Sequence, residues 1–211
     1  MTWTDLHAYC FEAKWDEVRR HVVSHPHETA VKHHLDLLPL HWATFKNAPE
    51  DVIERLLVFR EGAQYKSEEG NLPLHYAAAK RSPQGDVVGK LLEAYPAGAM
   101  ETNVDGSLPL HLAARGKAPA DVIVKLLVAY PSGAQVEDNY GNLPLHWAAA
   151  DVNADVEVIA TLLGAYPGGA QVRTNNGRLP LQLAADNDAC GADVIALLLQ
   201  AYPDGAGETN V

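Results

Sequence analysis

Asn142-Leu143-Pro144-Leu145-His146-Trp147-Ala148-Ala149 is one copy of a phrase that recurs along the chain. It returns as Asn71-Leu72-Pro73-Leu74-His75-Tyr76-Ala77-Ala78 and as Ser107-Leu108-Pro109-Leu110-His111-Leu112-Ala113-Ala114. Shorter copies are Leu38-Pro39-Leu40-His41-Trp42-Ala43 and Leu179-Pro180-Leu181-Gln182-Leu183-Ala184, and Thr4-Asp5-Leu6-His7 is a degenerate first one. The copies start at 4, 38, 72, 108, 143 and 179, a spacing of 34 to 36 residues. Such a period predicts a stacked array in which no unit buries its apolar face alone.

Each unit parses in the same way, as residues 103–138 show. Asn103-Val104-Asp105-Gly106 reads as a tight turn, because glycine takes positive φ at little cost. Pro109 sits in the first turn of a helix, where its missing N–H is no loss. Leu110, His111, Leu112, Ala113 and Ala114 continue that helix, and the alanines permit close approach of neighbours. Gly116-Lys117-Ala118-Pro119 breaks it. Asp121 is placed to cap a second helix. Val122, Ile123, Leu126, Leu127 and Tyr130 then form an apolar stripe of helical period. Pro131 stops the helix, and Ser132-Gly133-Ala134 reverses the chain. The second helix recurs from Asp51, Asp86, Glu157 and Asp193.

The ends differ. The second helix of the first unit, Trp15 to Val23, carries Asp16, Glu17, Arg19, Arg20 and His21, a polar outer face suited to an N-terminal cap. The last unit shows no such adaptation: Leu197 stands where earlier units have Arg55, Lys90, Lys125 and Thr161. Glu208-Thr209-Asn210-Val211 repeats Glu101-Thr102-Asn103-Val104, which leads into another unit. The expectation is a chain that continues into a seventh unit, or a C-terminal face covered by a partner.

The 211 residues are 47% hydrophobic and 20% charged, ordinary globular composition. No apolar run approaches the ~20 residues that span a bilayer, and Met1 to Asp5 has neither the basic stretch nor the apolar core of a signal peptide. Cys10 and Cys190 fall in the first and last units and are not expected to pair, which fits a reducing interior, cytoplasmic or nuclear. The formal net charge is −11. Residues 101–211 hold 13 acids and 5 bases, a balance that argues against nucleic acid. A basic protein partner is compatible with it, and so is acidity that only keeps the array soluble.

The pattern resembles the ankyrin repeat: a glycine hairpin turn, T-P-L-H-x-A-A, a loop, and a second helix with V-V-x-L-L. The resemblance covers essentially the whole chain. Its departures are consistent. Leucine replaces the usual threonine before proline, the loop between helices is one or two residues longer, and the exit reads Tyr-Pro-x-Gly-Ala, as at Tyr95–Ala99. The chain is similar to a subgroup with L-P-L-H and A-Y-P signatures. Leucine removes a hydroxyl cap worth ~1 kcal/mol, and the sequence does not show what replaces it. The resemblance implies an all-α solenoid of about six helix-turn-helix repeats spanning residues 1–211, with hairpin turns projecting to one side.

His41, His75, His111 and His146 invite a reading as metal ligands or bases. Adjacent repeats lie ~10 Å apart, too far for one ion whose histidine ligands sit at ~2 Å. They are expected to be structural, bonding neighbouring hairpin backbone as in the ankyrin family. His21, His25, His27, His33 and His34 crowd one segment with no cysteine and no complete ligand spacing, and a solvated loop is expected there. Trp42, Tyr76, Leu112, Trp147 and Leu183 share one position, and free exchange of leucine for tryptophan reads as inter-helix core. Glu208–Val211 fits the C-terminal pattern captured by PDZ domains, but its internal copy explains it as repeat sequence. Asp151, Asp155, Asp186 and Asp188 read as loop residues rather than catalytic pairs. No nucleophile-elbow, phosphate-loop, dinucleotide or HExxH pattern occurs. No cofactor, no metal and no enzymatic activity are expected.

The resemblance further implies a protein-binding scaffold that engages its partner on a concave face of hairpin tips and first helices. Carried onto this sequence, the tips are Glu68, Glu69, Val104, Asp105, Asn139, Tyr140, Asn175 and Asn176. Asn71 and Arg178 follow tip glycines, and Lys80, Arg115, Asp151 and Asp186 end the first helices. Tyr140 and Arg178 are the expected anchors, since these residue types are enriched at hot spots. The alternative is a structural spacer or assembly subunit that stacks through its C-terminal repeat.

Overall fold

A computed structural model of the chain describes residues 3–33, 36–82, 86–151, 153–186 and 191–207. His34, Asn187, Asp188, Cys190 and Glu208–Val211 lie outside the described residues, and so does the PDZ-type reading. Among the described residues, twelve α-helices run in two rows. The first row is α1 (Asp5–Phe11), α3 (Pro39–Phe45), α5 (Pro73–Ala78), α7 (Pro109–Arg115), α9 (Pro144–Ala149) and α11 (Pro180–Ala185). The second is α2 (Trp15–Ser24), α4 (Glu50–Leu56), α6 (Val87–Ala94), α8 (Ala120–Ala129), α10 (Val156–Ala165) and α12 (Ala192–Ala201). Each helix packs on its partner in the same repeat and on its counterpart in the next. There is no strand among the described residues; the fold is an all-α solenoid.

The core follows from the period. Leu40, Leu74, Leu110 and Leu145 of the repeated phrase are 2–3% exposed. Ile53, Val88, Ile123 and Ile159 of the second helices are 0–1% exposed. Alanines such as Ala43, Ala78, Ala113 and Ala149 are buried between first helices, where a larger side chain would push the row apart.

The first helices are started by a device that leucine alone does not supply. Leu38, Leu72, Leu108 and Leu143 occupy the N-cap with extended backbone, and their side chains make no cap bond. The histidine three residues on reaches back instead. Its Nδ1 accepts the N–H of Leu38, Leu72, Leu108 or Leu143 at 2.9–3.1 Å. This is one half of a capping box. In α11 the oxygen of Gln182 takes the same N–H, from Leu179, at 3.0 Å. Thr4, alone in the series, is a hydroxyl cap for His7 N–H.

Because Nδ1 accepts, the proton must sit on Nε2. Nε2 donates to a carbonyl of the next hairpin: His41 to Tyr65, His75 to Ser107, His111 to Val136 and Asn142, and His146 to Val172, at 2.9–3.2 Å. His7 reaches Leu37 at 3.3 Å. Each imidazole thus starts its own helix and ties its repeat to the next.

Two local structures depart from the sequence reading. The segment after each second helix is a single 3-10 turn rather than a simple reversal, as at Pro96–Met100, Pro131–Gln135 and Pro167–Gln171. The tyrosine before the proline packs over the glycine: a Cβ on Gly133 would meet Tyr130 Cδ1 at 3.1 Å and Leu110 Cδ2 at 3.4 Å. The Tyr-Pro-x-Gly-Ala exit is therefore a close-packing motif. Asp121 also does not cap α8. Pro119 holds the N-cap, so Asp121 falls inside the first turn, where it favours the dipole and pairs with Lys125. Asp86 and Asp155 do cap α6 and α10, through Gly89 N–H and Glu157 N–H.

Burial holds the imidazoles neutral: the pKa values of His41, His75 and His146 fall from 6.5 to about 4, and those of His7 and His111 are lowered. An unfolded chain binds protons below about pH 6.5 while the folded chain refuses them. Stability is then fully present above about pH 7 and falls as pH drops from 6.5 towards 4. Urea unfolding between pH 8 and pH 4 should show this fall. His146→Gln keeps an acceptor for Leu143 N–H, as Gln182 does for Leu179, and should make the fall shallower; a midpoint flat to pH 4.5 would contradict the assignment.

Candidate partner-binding surface

The hairpins between repeats are closed by their own backbone. Ser67 N–H meets Asn71 O and Gly70 N–H meets Ser67 O, at 2.9 and 2.8 Å. The same pair recurs at Asn103/Ser107, Asp138/Asn142 and Thr174/Arg178, each with its glycine. Gly70, Gly106, Gly141 and Gly177 all have φ of 73–75°. Asp36 takes the left-handed conformation at the matching place in the first hairpin, with φ 55°.

Successive tips are bonded to one another. Val104 N–H donates to Glu69 O, Asn139 N–H to Asp105 O, and Asn175 N–H to Tyr140 O, at 2.9–3.0 Å. Side chains add rungs: Asn103 Nδ2 to Asn71 Oδ1, Asn139 Nδ2 to Val104 O, and Asn175 Nδ2 to Asn139 O. The tips form one continuous edge, and Glu68, Glu69, Val104, Asp105, Asn139, Tyr140, Asn175 and Asn176 are all exposed along it. Val104 is 62% exposed and Tyr140 58%, so both offer apolar surface to solvent.

Not every expected residue is equally available. The side-chain amides of Asn139 and Asn175 are committed to neighbouring tips. Asn71 is buried, bonded to Glu69 and Asn103. Asp151 is an ion-pair partner of Lys117 at 2.7 Å with a side chain only 10% exposed. Arg178 Nη2 bonds Gln182 O and pairs with Asp186, so its guanidinium is partly spent within the repeat. Lys80 donates to Phe45 O, and its desolvation, with Lys46 nearby, lowers its pKa.

The position after the histidine is not core. Trp42, Tyr76 and Trp147 are half-buried, with one side on the first-helix row and the other on the groove. Trp147 Nε1 donates to Asp138 Oδ2 at 2.9 Å, and Arg115 lies 4.9 Å from the Trp147 ring centre. Tyr76 O–H reaches Ser67 Oγ at 3.4 Å. Seven residues after the N-caps of α1, α3 and α7 stand Phe11, Phe45 and Arg115. Phe11 meets Trp42 edge-on at 5.1 Å and Phe45 meets Tyr76 at 5.9 Å. The sequence reading missed this strip because it weighed one position of the repeat by itself; comparing it with the end of the first helix in the preceding repeat would have paired Trp42 with Phe11, Tyr76 with Phe45 and Trp147 with Arg115.

The remaining histidines do not converge. His21 and His25 stack on α2 at 4.4 Å, and His21 meets Glu28 at 3.0 Å. His33 is buried in its hairpin, against Trp3 at 4.3 Å. The segment is therefore partly helix and partly core rather than a solvated loop. Among the described residues, no three His, Cys, Asp or Glu side chains are grouped to hold a metal, and no helix is long and apolar enough to cross a membrane.

Comparisons with known proteins agree with this architecture. The family model described as ankyrin repeats in three copies matches residues 40–138, 78–176 and 121–207. None of the curated proteins matches the chain. Among solved structures, a chain of the complex between a predatory endopeptidase from Bdellovibrio bacteriovorus and an immunity protein superposes with a TM-score of 0.73. It is 17% identical, over 95% of this chain and 99% of that one, a likeness of fold alone.

Asp138 organises the tip that carries Tyr140. Its carboxylate accepts Tyr140 N–H, Asn142 N–H and Trp147 Nε1–H, and it is 6% exposed. Asp138→Ala leaves those donors without an acceptor and should cost about 1–3 kcal/mol. Thermal unfolding should show the loss, with Asp138→Asn losing less; equal stability of Asp138→Ala and the parent would refute the role.

Proposed function

Because the chain belongs to the ankyrin repeat family, we propose that it is a non-enzymatic scaffold that holds a protein partner against its tips and first-helix groove. Ankyrin repeats are generic protein-binding modules. The observation that supports this face is the bonded edge of tips: a fixed backbone presents a different side chain in every repeat. Rigid presentation lowers the ordering cost of binding. The first-helix strip changes along its length: Phe45 meets Tyr76 between α3 and α5, and Arg115 meets Trp147 between α7 and α9.

Charge sets the expected partner. Glu68, Glu69 and Asp105 are exposed and pair with no cation among the described residues. With a net charge of −11, the partner surface is proposed to be basic. Tyr140 is the first anchor on this reading, ahead of Arg178 and Asp151, which are engaged within the array.

A second reading is association through the C-terminal face, and one observation favours it. Ile195 is partly exposed although its counterparts Ile53, Val88, Ile123 and Ile159 are buried. Ala185 is exposed where Ala78, Ala114 and Ala149 are buried.

A pull-down tests the two together. Tyr140→Ala should weaken partner binding by more than ~1 kcal/mol with little change in Tm, and Glu68→Lys with Glu69→Lys and Asp105→Lys should abolish it. Unchanged affinity in both variants would sink the groove reading. If Ile195→Lys instead removes self-association seen by sedimentation velocity, the end-face reading stands.

A further inference from the structure

Two adjoining cavities open in the groove between α3 and α5, of about 170 and 180 Å³. They share Leu37, Glu69 and Tyr76. Trp42 and Phe45 wall the first, and Glu68 stands at the second. The walls are aromatic and the rim is anionic. No lysine or arginine lines either space. His41 is at its edge but is held neutral by burial. Each cavity is well below the ~300 Å³ at which drug-sized pockets begin, and suits one side chain.

The array itself shows what such walls attract. In the α7–α9 step, Arg115 places its guanidinium 4.9 Å from the Trp147 ring centre. Phe45 holds the place of Arg115 in the α3–α5 step, and Tyr76 the place of Trp147. So the step between α3 and α5 has a second aromatic ring where the later step carries its own cation. Lys80 and Lys46 lie 4.9 and 5.9 Å from the Phe45 ring centre, yet neither lines the cavity. Glu69 receives a hydrogen bond from Asn71 Nδ2 and, like Glu68, meets no cation among the described residues.

We propose that the cavity walled by Trp42, Phe45 and Tyr76, with Glu68 and Glu69 at its rim, is a receptor for an arginine side chain of the basic partner. This rests on the groove reading and deepens it. A guanidinium is planar and weakly hydrated, stacks on aromatic faces and forks onto carboxylates. An ammonium gains only the charge attraction.

NMR titration of the whole chain with ethylguanidinium, ethylammonium and the neutral isostere ethylurea tests the site. Ethylguanidinium should shift the Trp42 indole and the Phe45 and Tyr76 rings saturably, ethylammonium more weakly, and ethylurea not at all. Glu69→Gln should weaken the response at least fivefold. Tyr76→Leu, a residue the fold already carries at Leu112 and Leu183, should remove it while the other amide signals stay in place. Equal shifts from ethylurea, or a response untouched by both substitutions, would overturn the proposal. With the co-purified partner, Tyr76→Leu should weaken binding at least tenfold. If Tyr140→Ala weakens that binding and Tyr76→Leu and Glu69→Gln do not, the arginine site fails and the groove reading survives; indifference to all three overturns both.

Discussion

One hydrogen-bonding group, the neutral imidazole of the L-P-L-H phrase, carries constraints in two directions. Its Nδ1 satisfies the backbone N–H that a leucine cap leaves open. Its Nε2 fixes a hairpin carbonyl one repeat further on. Protonation of Nδ1 would turn the acceptor of the leucine N–H into a second donor, so the ring must stay uncharged for the helix start to hold. A buried polar group that is fully bonded specifies geometry more strictly than an apolar one of the same size. That strictness sets the spacing of the hairpins, and the tip-to-tip bonds follow from it.

The division of labour between the two sides of the molecule follows from the same constraint. Residues committed to the stack are uniform: leucine, alanine, proline and histidine on the first helices, and valine, isoleucine and leucine on the second. Ion pairs such as Arg19–Asp51, Glu54–Lys90 and Asp86–Lys125 cross between second helices of successive repeats. Such exposed pairs contribute little each, but they engage charges of the second helices within the array. The tips and the groove are where side chains vary from repeat to repeat and where aromatic surface meets solvent. A scaffold whose backbone is fixed by repetition can change its partner by changing only those positions.

Much of this was legible in the chain. The period, the proline at the helix start and the glycine of the hairpin are local features with single physical meanings, and they sufficed for the solenoid. The structural part of the histidines was also legible, because ~10 Å between repeats excludes a shared ion. What escaped were contacts between repeats. The commitment of Asn139 and Asn175 to neighbouring tips spans some 35 residues of sequence. The pairing of Asp151 with Lys117 has no signature within one unit. The 3-10 turn after each tyrosine was hidden because glycine reads as a reversal before it reads as room for a ring. Trp42, Tyr76 and Trp147 looked like core because leucine replaces them, yet that position faces the core with one side only.

The claim beneath all of this is that the repeated histidines are scaffold, neutral and Nε2-protonated, rather than displayed for chemistry. Nitrogen-15 NMR of the imidazoles at pH 7 measures it directly. His41, His75, His111 and His146 should show the neutral Nε2–H tautomer, with Nδ1 coupled through a hydrogen bond to the leucine amide three residues earlier. Rings that titrate near pH 6.5, or that carry their proton on Nδ1, would contradict it.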